Sequence, residues 1–329
     1  MASREHINEY FNGKPFMVLC ALALTLTVFV ACGLGLEPST SNDKGIFFSL
    51  KGPLIEHQTL SAIVNLGCLL AAGGIMLAIN KVFTFVRSMT HLFVSAFFLL
   101  QLANPAGLVA FNAGTLLCLV TTVAVLPLFA SYQDRHSQRS IFLIFAMAAA
   151  GSMFHYGFLV LIPAFLLGFL NMGVLNLKGI LAMFIGLVTP FWIVLGLGIA
   201  APGDFTLPTF NGIWQLAKDP HMDILLLLAA ITALLGIALA VMNLMTIMNY
   251  RMQTRVYNAF FVFTLVLTLI ALCIDVSEVA VFLPLLNITV AVQIAHAHTL
   301  RATLHNRYIL LLVFIAGCLG FCAANMTLS

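Results

Sequence analysis

Three groups of residues in this 329-residue chain have the types and positions to do chemistry. The first is His155-Tyr156, set in the middle of thirty nearly uninterrupted apolar residues, Ile141–Leu170. An ionisable side chain at membrane depth is costly to hold there and is a functional candidate for that reason. If the segment only just reaches the far face of the membrane, His155 is interfacial and Tyr156 is an ordinary belt aromatic. The second group is acidic: Glu37, Asp43, Glu56 with His57 beside it, and Asp275 with Glu278. Carboxylates offer hard oxygen ligands for a divalent cation or general bases with a histidine as proton shuttle. No spacing ties these residues together, and outer loops that are simply solvated and acidic read the same way. The third group is His296, His298 and His305. Residues i and i+2 of a helix point to nearly opposite sides, so the first two cannot chelate unless the helix has ended, and no metal site is expected. Seven scattered cysteines inside apolar runs read as small core filler rather than a disulfide framework. No nucleotide loop, zinc motif or nucleophile elbow occurs, so no cofactor is expected beyond a divalent cation that the carboxylates could hold.

The elements that must position these groups follow from composition. The chain is 62% hydrophobic and 8% charged, against roughly 25% charged in soluble domains. That excludes a soluble globule. Long continuous apolar runs exclude the alternating pattern of a membrane β-barrel. The fold class expected is all-α: one polytopic transmembrane bundle over residues 1–329, with a polar lead at 1–14 and outer loops at 37–57 and 201–223. A net charge of +3 is too small to imply a nucleic-acid partner. In the second loop Phe205, Phe210, Ile213, Trp214 and Leu216 suggest a turn or helix lying at the interface. A third span is expected at about 88–103, closed by the Asn104-Pro105-Ala106-Gly107 turn. Gly73-Gly74 in the second span would let a neighbouring helix approach closely. Asn65, Gln101, Asn112, Asn243, Asn287 and Gln293 are expected to hydrogen-bond between helices.

Charge parity decides how Ile141–Leu170 threads the membrane. One upright helix needs about 20 residues, and thirty is barely enough for two short passes. If the segment crosses twice, the Lys and Arg residues fall 11 on the side of the N-terminus and 3 on the other. A single crossing divides them 7 and 7, which violates the excess of basic residues in cytoplasmic loops. The chain therefore reads as eleven membrane segments, N-terminus cytoplasmic and C-terminus periplasmic, with a helical hairpin at 141–170 whose tip is His155-Tyr156. A re-entrant hairpin satisfies the parity equally well.

The stretch from Asn80 (NKVFTFVRSMTHLFVSAFFLLQLANPAGLVAFNAGTLL), together with SIFLIFAMAAAGSMFHYGFLVLIPAFLLGFL from Ser140, resembles an uncharacterised polytopic inner-membrane family of Bacteroidota. Members of that family have carried a carotene monooxygenase label, but nine histidines on different sides of the membrane do not suggest its four-histidine iron site. The Ser140 stretch is also distantly similar to the paired short helices of C-type membrane glycosyltransferases, which use polyprenyl-phosphate sugars and keep an acidic catalytic residue in the first outer loop. Glu37 and Asp43 stand in that loop here, without the paired Asp-Glu signature. The resemblance implies an inner-membrane protein handling a lipid-linked envelope precursor in a periplasm-facing groove. Glu37 or Asp43 would act as base or metal ligand and His155 would orient a phosphate. Glu56, His57, Tyr156, Asp275 and Glu278 would line the substrate site. A transporter, or a non-catalytic assembly partner of an envelope complex, is the alternative. Membrane lipid and a polyprenyl-phosphate-linked substrate are the partners expected.

Overall fold

Eleven α-helices account for most of the described residues, and they follow the apolar runs. The structure is a computed structural model describing residues 10–39, 45–48, 55, 57–86, 90–208, 210–213, 223–247, 250–300 and 307–328. The helices are α1 (Lys14–Gly33), α2 (Gln58–Phe83), α3 (Leu92–Leu102), α4 (Ala113–Ala130), α5 (Gln138–Phe154), α6 (Leu161–Asn171), α7 (Leu177–Gly196), α8 (Ile224–Ile247), α9 (Met252–Ile274), α10 (Val279–Leu300) and α11 (Arg307–Leu328). Among the described residues there are no strands. All but α3, α5 and α6 are long and apolar enough to cross a membrane. The chain is an all-α polytopic bundle.

Hydrogen bonds at the helix ends define two faces. At one, Asn12 O near the start of α1 accepts from the His91 N–H before α3 (3.1 Å). Tyr257 in the first turns of α9 donates to Phe129 O at the end of α4 (3.2 Å). The Gln133 N–H before α5 donates to Met172 O after α6 (3.3 Å), and Asn176 Nδ2 donates to Arg135 O (2.9 Å). The chain thus enters α5 and leaves α6 on the same face. Lys81, Arg135, Arg139, Lys178, Arg251 and Arg255 stand in or beside the helix ends of this basic face. At the opposite, acidic face, the Ile46 N–H donates to Ser152 O near the end of α5 (3.2 Å), and the Thr206 N–H to Ile46 O (3.0 Å). There too the Val276 N–H donates to Asn211 O (2.8 Å).

The doubled-back hairpin is therefore present. Helix α5 has 17 residues, about 25 Å at 1.5 Å rise. Its return arm is a 3₁₀ turn, Tyr156–Val160, running into the 11-residue α6, about the same length at 3₁₀ and helical rise. Each arm nearly matches a ~30 Å hydrocarbon core. The third segment differs from expectation: α3 has 11 residues, all buried, about 16 Å. It is an internal half-length helix, not a span at 88–103. Polar groups in the turn after it find partners inside the bundle: Asn104 Oδ1 accepts from the Gly107 N–H (3.2 Å), and Asn65 Nδ2 reaches Gly107 O and Leu108 O (both 3.1 Å). The second loop begins as a 3₁₀ turn at Pro202–Asp204 and continues extended, with Phe205, Phe210 and Ile213 exposed. Trp214 and Leu216 lie outside the described residues.

Helix α10 is the hub. Its apolar stretch is 94% buried, against 11% for α7, and α3, α4, α8 and α9 pack around it. Close approach depends on small residues. A Cβ on Gly73 would sit 2.7 Å from the Phe98 ring of α3, so Gly73 does admit a neighbour, whereas Gly74 faces nothing within 4 Å. A Cβ on Gly114 of α4 would lie 2.7 Å from Val281 O and 2.8 Å from Ala280 O of α10. Backbone cannot yield as a flexible side chain does, and overpacking typically costs about 1–3 kcal/mol. Gly114→Val is expected to lower the thermal midpoint of the detergent-purified protein clearly, with Gly74→Ala unchanged; equal midpoints for the two variants would contradict this packing.

Candidate functional site

The site begins where α5 stops. His155 is the C-cap of α5, in extended conformation (φ −153°, ψ 130°), with its own N–H bonded back to Gly151 O (3.0 Å). Its Nδ1 accepts from the Gly157 N–H (2.9 Å). A ring nitrogen that accepts carries no proton, so the neutral ring bears its hydrogen on Nε2. Nε2 faces Glu278 Oε2 at 3.4 Å. The two residues are only 3% and 7% exposed. At 3.4 Å the pair is looser than the 2.7–2.9 Å of a tight charge-assisted hydrogen bond.

Glu278 is placed by a second local device. Asp275 ends α9 and its Oδ1 accepts from the Ser277 N–H (3.2 Å) and Ser277 Oγ (2.6 Å). This caps the short Val276–Glu278 turn and delivers Glu278 to the N-terminal end of α10, where the helix amides favour negative charge. Across the interface a Cβ on Gly157 would come within 3.2 Å of Val281 Cγ1, so the hairpin tip and the start of α10 are in direct contact.

A layer of loops covers this pair. Tyr156 Oη donates to Thr206 O, Thr206 Oγ1 donates to Gly45 O (2.7 Å), and the Phe47 and Phe48 N–H groups both donate to Met153 O (3.3 and 3.1 Å). Asn211 N–H approaches Asp275 Oδ1 (3.4 Å). Phe48 stacks on Phe154 at 5.2 Å. Tyr156 is therefore a strap between the hairpin tip and the second loop.

Of the residues singled out by the sequence, His155 and Glu278 meet, Asp275 positions Glu278, and Tyr156 holds the cover. Glu37 lies exposed beyond the end of α1 and has no hydrogen bond or ion pair among the described residues. His57 is exposed at the start of α2, with no side-chain cap bond. Asp43 and Glu56 lie outside the described residues. No three His, Cys, Asp or Glu side chains among the described residues gather to hold a metal ion.

Sequence reasoning put Glu278 among the substrate-lining acids and gave the base to Glu37 or Asp43. The signal for its burial was its place at the foot of α10, the span richest in buried polar groups. Gln293 of α10 accepts from Asn243 Nδ2 at its carbonyl (2.8 Å) and Oε1 (3.0 Å), and its Nε2 donates to Asn258 Oδ1 (3.0 Å). That clamp joins α8, α9 and α10 as the amide pattern implied. Asn112 instead caps α4, accepting from the Thr115 N–H. Asn287 is fully buried, and among the described residues neither of its amide atoms, nor Gln101 Nε2 or His296 Nε2, has a hydrogen-bond partner.

No protein-family model, curated protein or solved structure matches this chain.

Leaving a buried polar group without its facing partner costs about 1–3 kcal/mol, more for a charged one, whereas replacing both partners by packed apolar groups is often near neutral. His155→Leu and Glu278→Leu are each expected to destabilise strongly, and the double variant to lose markedly less than the sum, read from thermal unfolding in detergent micelles. Strict additivity would mean that the two side chains do not interact.

Proposed function

We propose that the chain is a multi-pass protein of the inner (cytoplasmic) membrane of a Gram-negative envelope. The basic face lies in the cytoplasm and the C-terminus in the periplasm, as the excess of Lys and Arg on one side argues. On this reading the His155–Glu278 pair is the acid–base element of a periplasm-facing site handling a lipid-linked envelope precursor. The observation that carries the proposal is the burial of an imidazole and a carboxylate side by side at the acidic face, inside a membrane bundle, beneath the loops that hold Phe48 and Thr206. Groups that expensive to bury are kept for chemistry or transport. The distant sequence resemblance of the Ser140 stretch to the short paired helices of C-type glycosyltransferases is what suggests the substrate class, a polyprenyl-phosphate-linked sugar. Glu278 takes the part first given to Glu37 or Asp43: it accepts a proton from the attacking hydroxyl group, and the His155 Nε2–H holds the carboxylate in position.

A transporter is the second reading. It is favoured by the half-length α3 and the unpartnered Asn287 and His296 on the central helix, since interrupted helices and intramembrane polar groups mark transport pathways.

The test uses a strain whose only copy carries Glu278→Gln, His155→Gln or Glu37→Ala, with protein level followed by immunoblot and lipid extracts by mass spectrometry. Glu278→Gln and His155→Gln should accumulate a lipid-linked sugar precursor at normal protein level, with Glu37→Ala indistinguishable from wild type. Normal extracts from all three, at normal protein level, would overturn the enzyme reading. Loss of solute uptake by membrane vesicles without precursor accumulation would favour the transporter.

A further inference from the structure

At the basic face, on the other side of the bundle from His155 and Glu278, the base of the hairpin encloses a second concavity. A cavity of about 360 Å³ lies between the α4–α5 turn (Gln133, Arg135), the α6–α7 turn (Met172, Gly173) and the start of α9 (Met252, Val256). Met172 and Val256 are buried and give it an apolar floor. Arg135 is exposed at its rim and has no ion pair among the described residues. Gln133 sits at φ +59°, in the left-handed region that residues other than glycine seldom adopt. Its N–H donates to Met172 O (3.3 Å) and its Nε2 to Tyr132 Oη (3.3 Å), so the two turns are drawn together around the cavity. The helices that begin here, α5, α7 and α9, carry Arg139, Lys178, Arg251 and Arg255 at their starts. Against them stands Asp134, whose Oδ1 already accepts from the His136 N–H (2.9 Å). Arg255 lies in α9 between the cavity residues Met252 and Val256, and its Nε is buried with no hydrogen-bond partner among the described residues. A buried donor left open in this way marks a place where a ligand or an ordered water belongs.

We infer that this cavity binds the phosphate group of a phosphate ester at the basic face. Arg135 supplies the paired N–H donors that match phosphate geometry. The first amides of α9 add partial positive charge, and the N-cap residue Arg251 makes no side-chain bond that would occupy them. The cavity is in the size range of small-molecule pockets and larger than a bare phosphate needs, and its apolar floor suits the carbon skeleton to which the phosphate is esterified. A phospholipid headgroup of the adjacent leaflet and a soluble phosphate ester offer this same chemistry. Binding ties the α4–α5 turn to α9 and braces the base of the hairpin. The inference does not rest on any catalytic role for His155 and Glu278, which lie at the opposite face.

The experiment uses the full chain in dodecyl maltoside micelles. One arm titrates it with sn-glycerol 3-phosphate by calorimetry, and the other offers it equimolar phosphatidylglycerol and phosphatidylcholine and counts retained lipid by native mass spectrometry. At least one arm should show saturable binding that Arg135→Gln weakens about tenfold or more, the loss expected for a charge-assisted hydrogen bond, and that Arg135→Glu abolishes. Arg139→Gln, on the same face but outside the cavity, should leave it unchanged. Binding of glycerol 3-phosphate, with or without lipid retention, assigns a site open to soluble esters. Retention of phosphatidylglycerol over phosphatidylcholine without uptake of glycerol 3-phosphate assigns the lipid headgroup. Equal weakening by Arg135→Gln and Arg139→Gln would show diffuse attraction to the basic face and overturn the site. Absence of saturable binding in both arms, from protein that elutes as a monodisperse peak, would overturn it too.

Discussion

An imidazole and a carboxylate buried 3.4 Å apart at the junction of a helical hairpin and the central helix set the terms for the rest of this structure. Neither group is tolerable alone in a membrane interior. Keeping both requires the chain to bring the end of α5 to the start of α10 and to seal the junction from lipid. The hairpin supplies the first requirement. Its two short arms, about 25 Å each, place His155 where a single straight helix would have carried it past. The loop layer that contains Phe48 and Thr206 supplies the second, and its Ile46, Phe47 and Phe48 N–H groups donate to the hairpin's own carbonyls at Ser152 and Met153. The carbonyls left open at the end of α5 are thus the attachment points of the cover.

The same logic explains why α10 is central. Glu278, Asn287, Thr289, Gln293, His296 and His298 all belong to it or adjoin it, and every one is buried. A helix with that content cannot face hydrocarbon, so the helices with few polar groups, α1, α7 and α11, take the lipid side. The Asn243–Gln293–Asn258 clamp fixes the rotation of α10 relative to α8 and α9, and Gly114 lets α4 close on its first turns. These contacts together fix the height at which Glu278 meets the hairpin.

Much of this was legible in the residues. Counting Lys and Arg on alternate sides required Ile141–Leu170 to return to the face it left, and the bonds from Gln133 to Met172 and from Asn176 to Arg135 close that hairpin. The apolar runs located the spans, and Gly73 marked a close helix contact. Other features were not legible, because hydropathy does not distinguish burial in protein from burial in lipid. Leu92–Leu102 is as apolar as any span yet lies wholly inside the bundle, and α10 read as one more crossing. The choice of carboxylate partner was a tertiary matter too. Glu37 and Glu278 both sit at the acidic end of an apolar run, but only Glu278 follows an Asp275-capped turn that aims it inward.

The doubling back of the hairpin is tested most directly by single cysteines introduced at Arg139, Lys178 and Asp204 in a background lacking the seven native cysteines, labelled with a membrane-impermeant maleimide in intact cells and in inverted vesicles. Arg139→Cys and Lys178→Cys should react together from one side, and Asp204→Cys only from the other. Reaction of Arg139→Cys and Lys178→Cys from opposite sides would mean that the segment between them crosses once, and the His155–Glu278 junction could not exist.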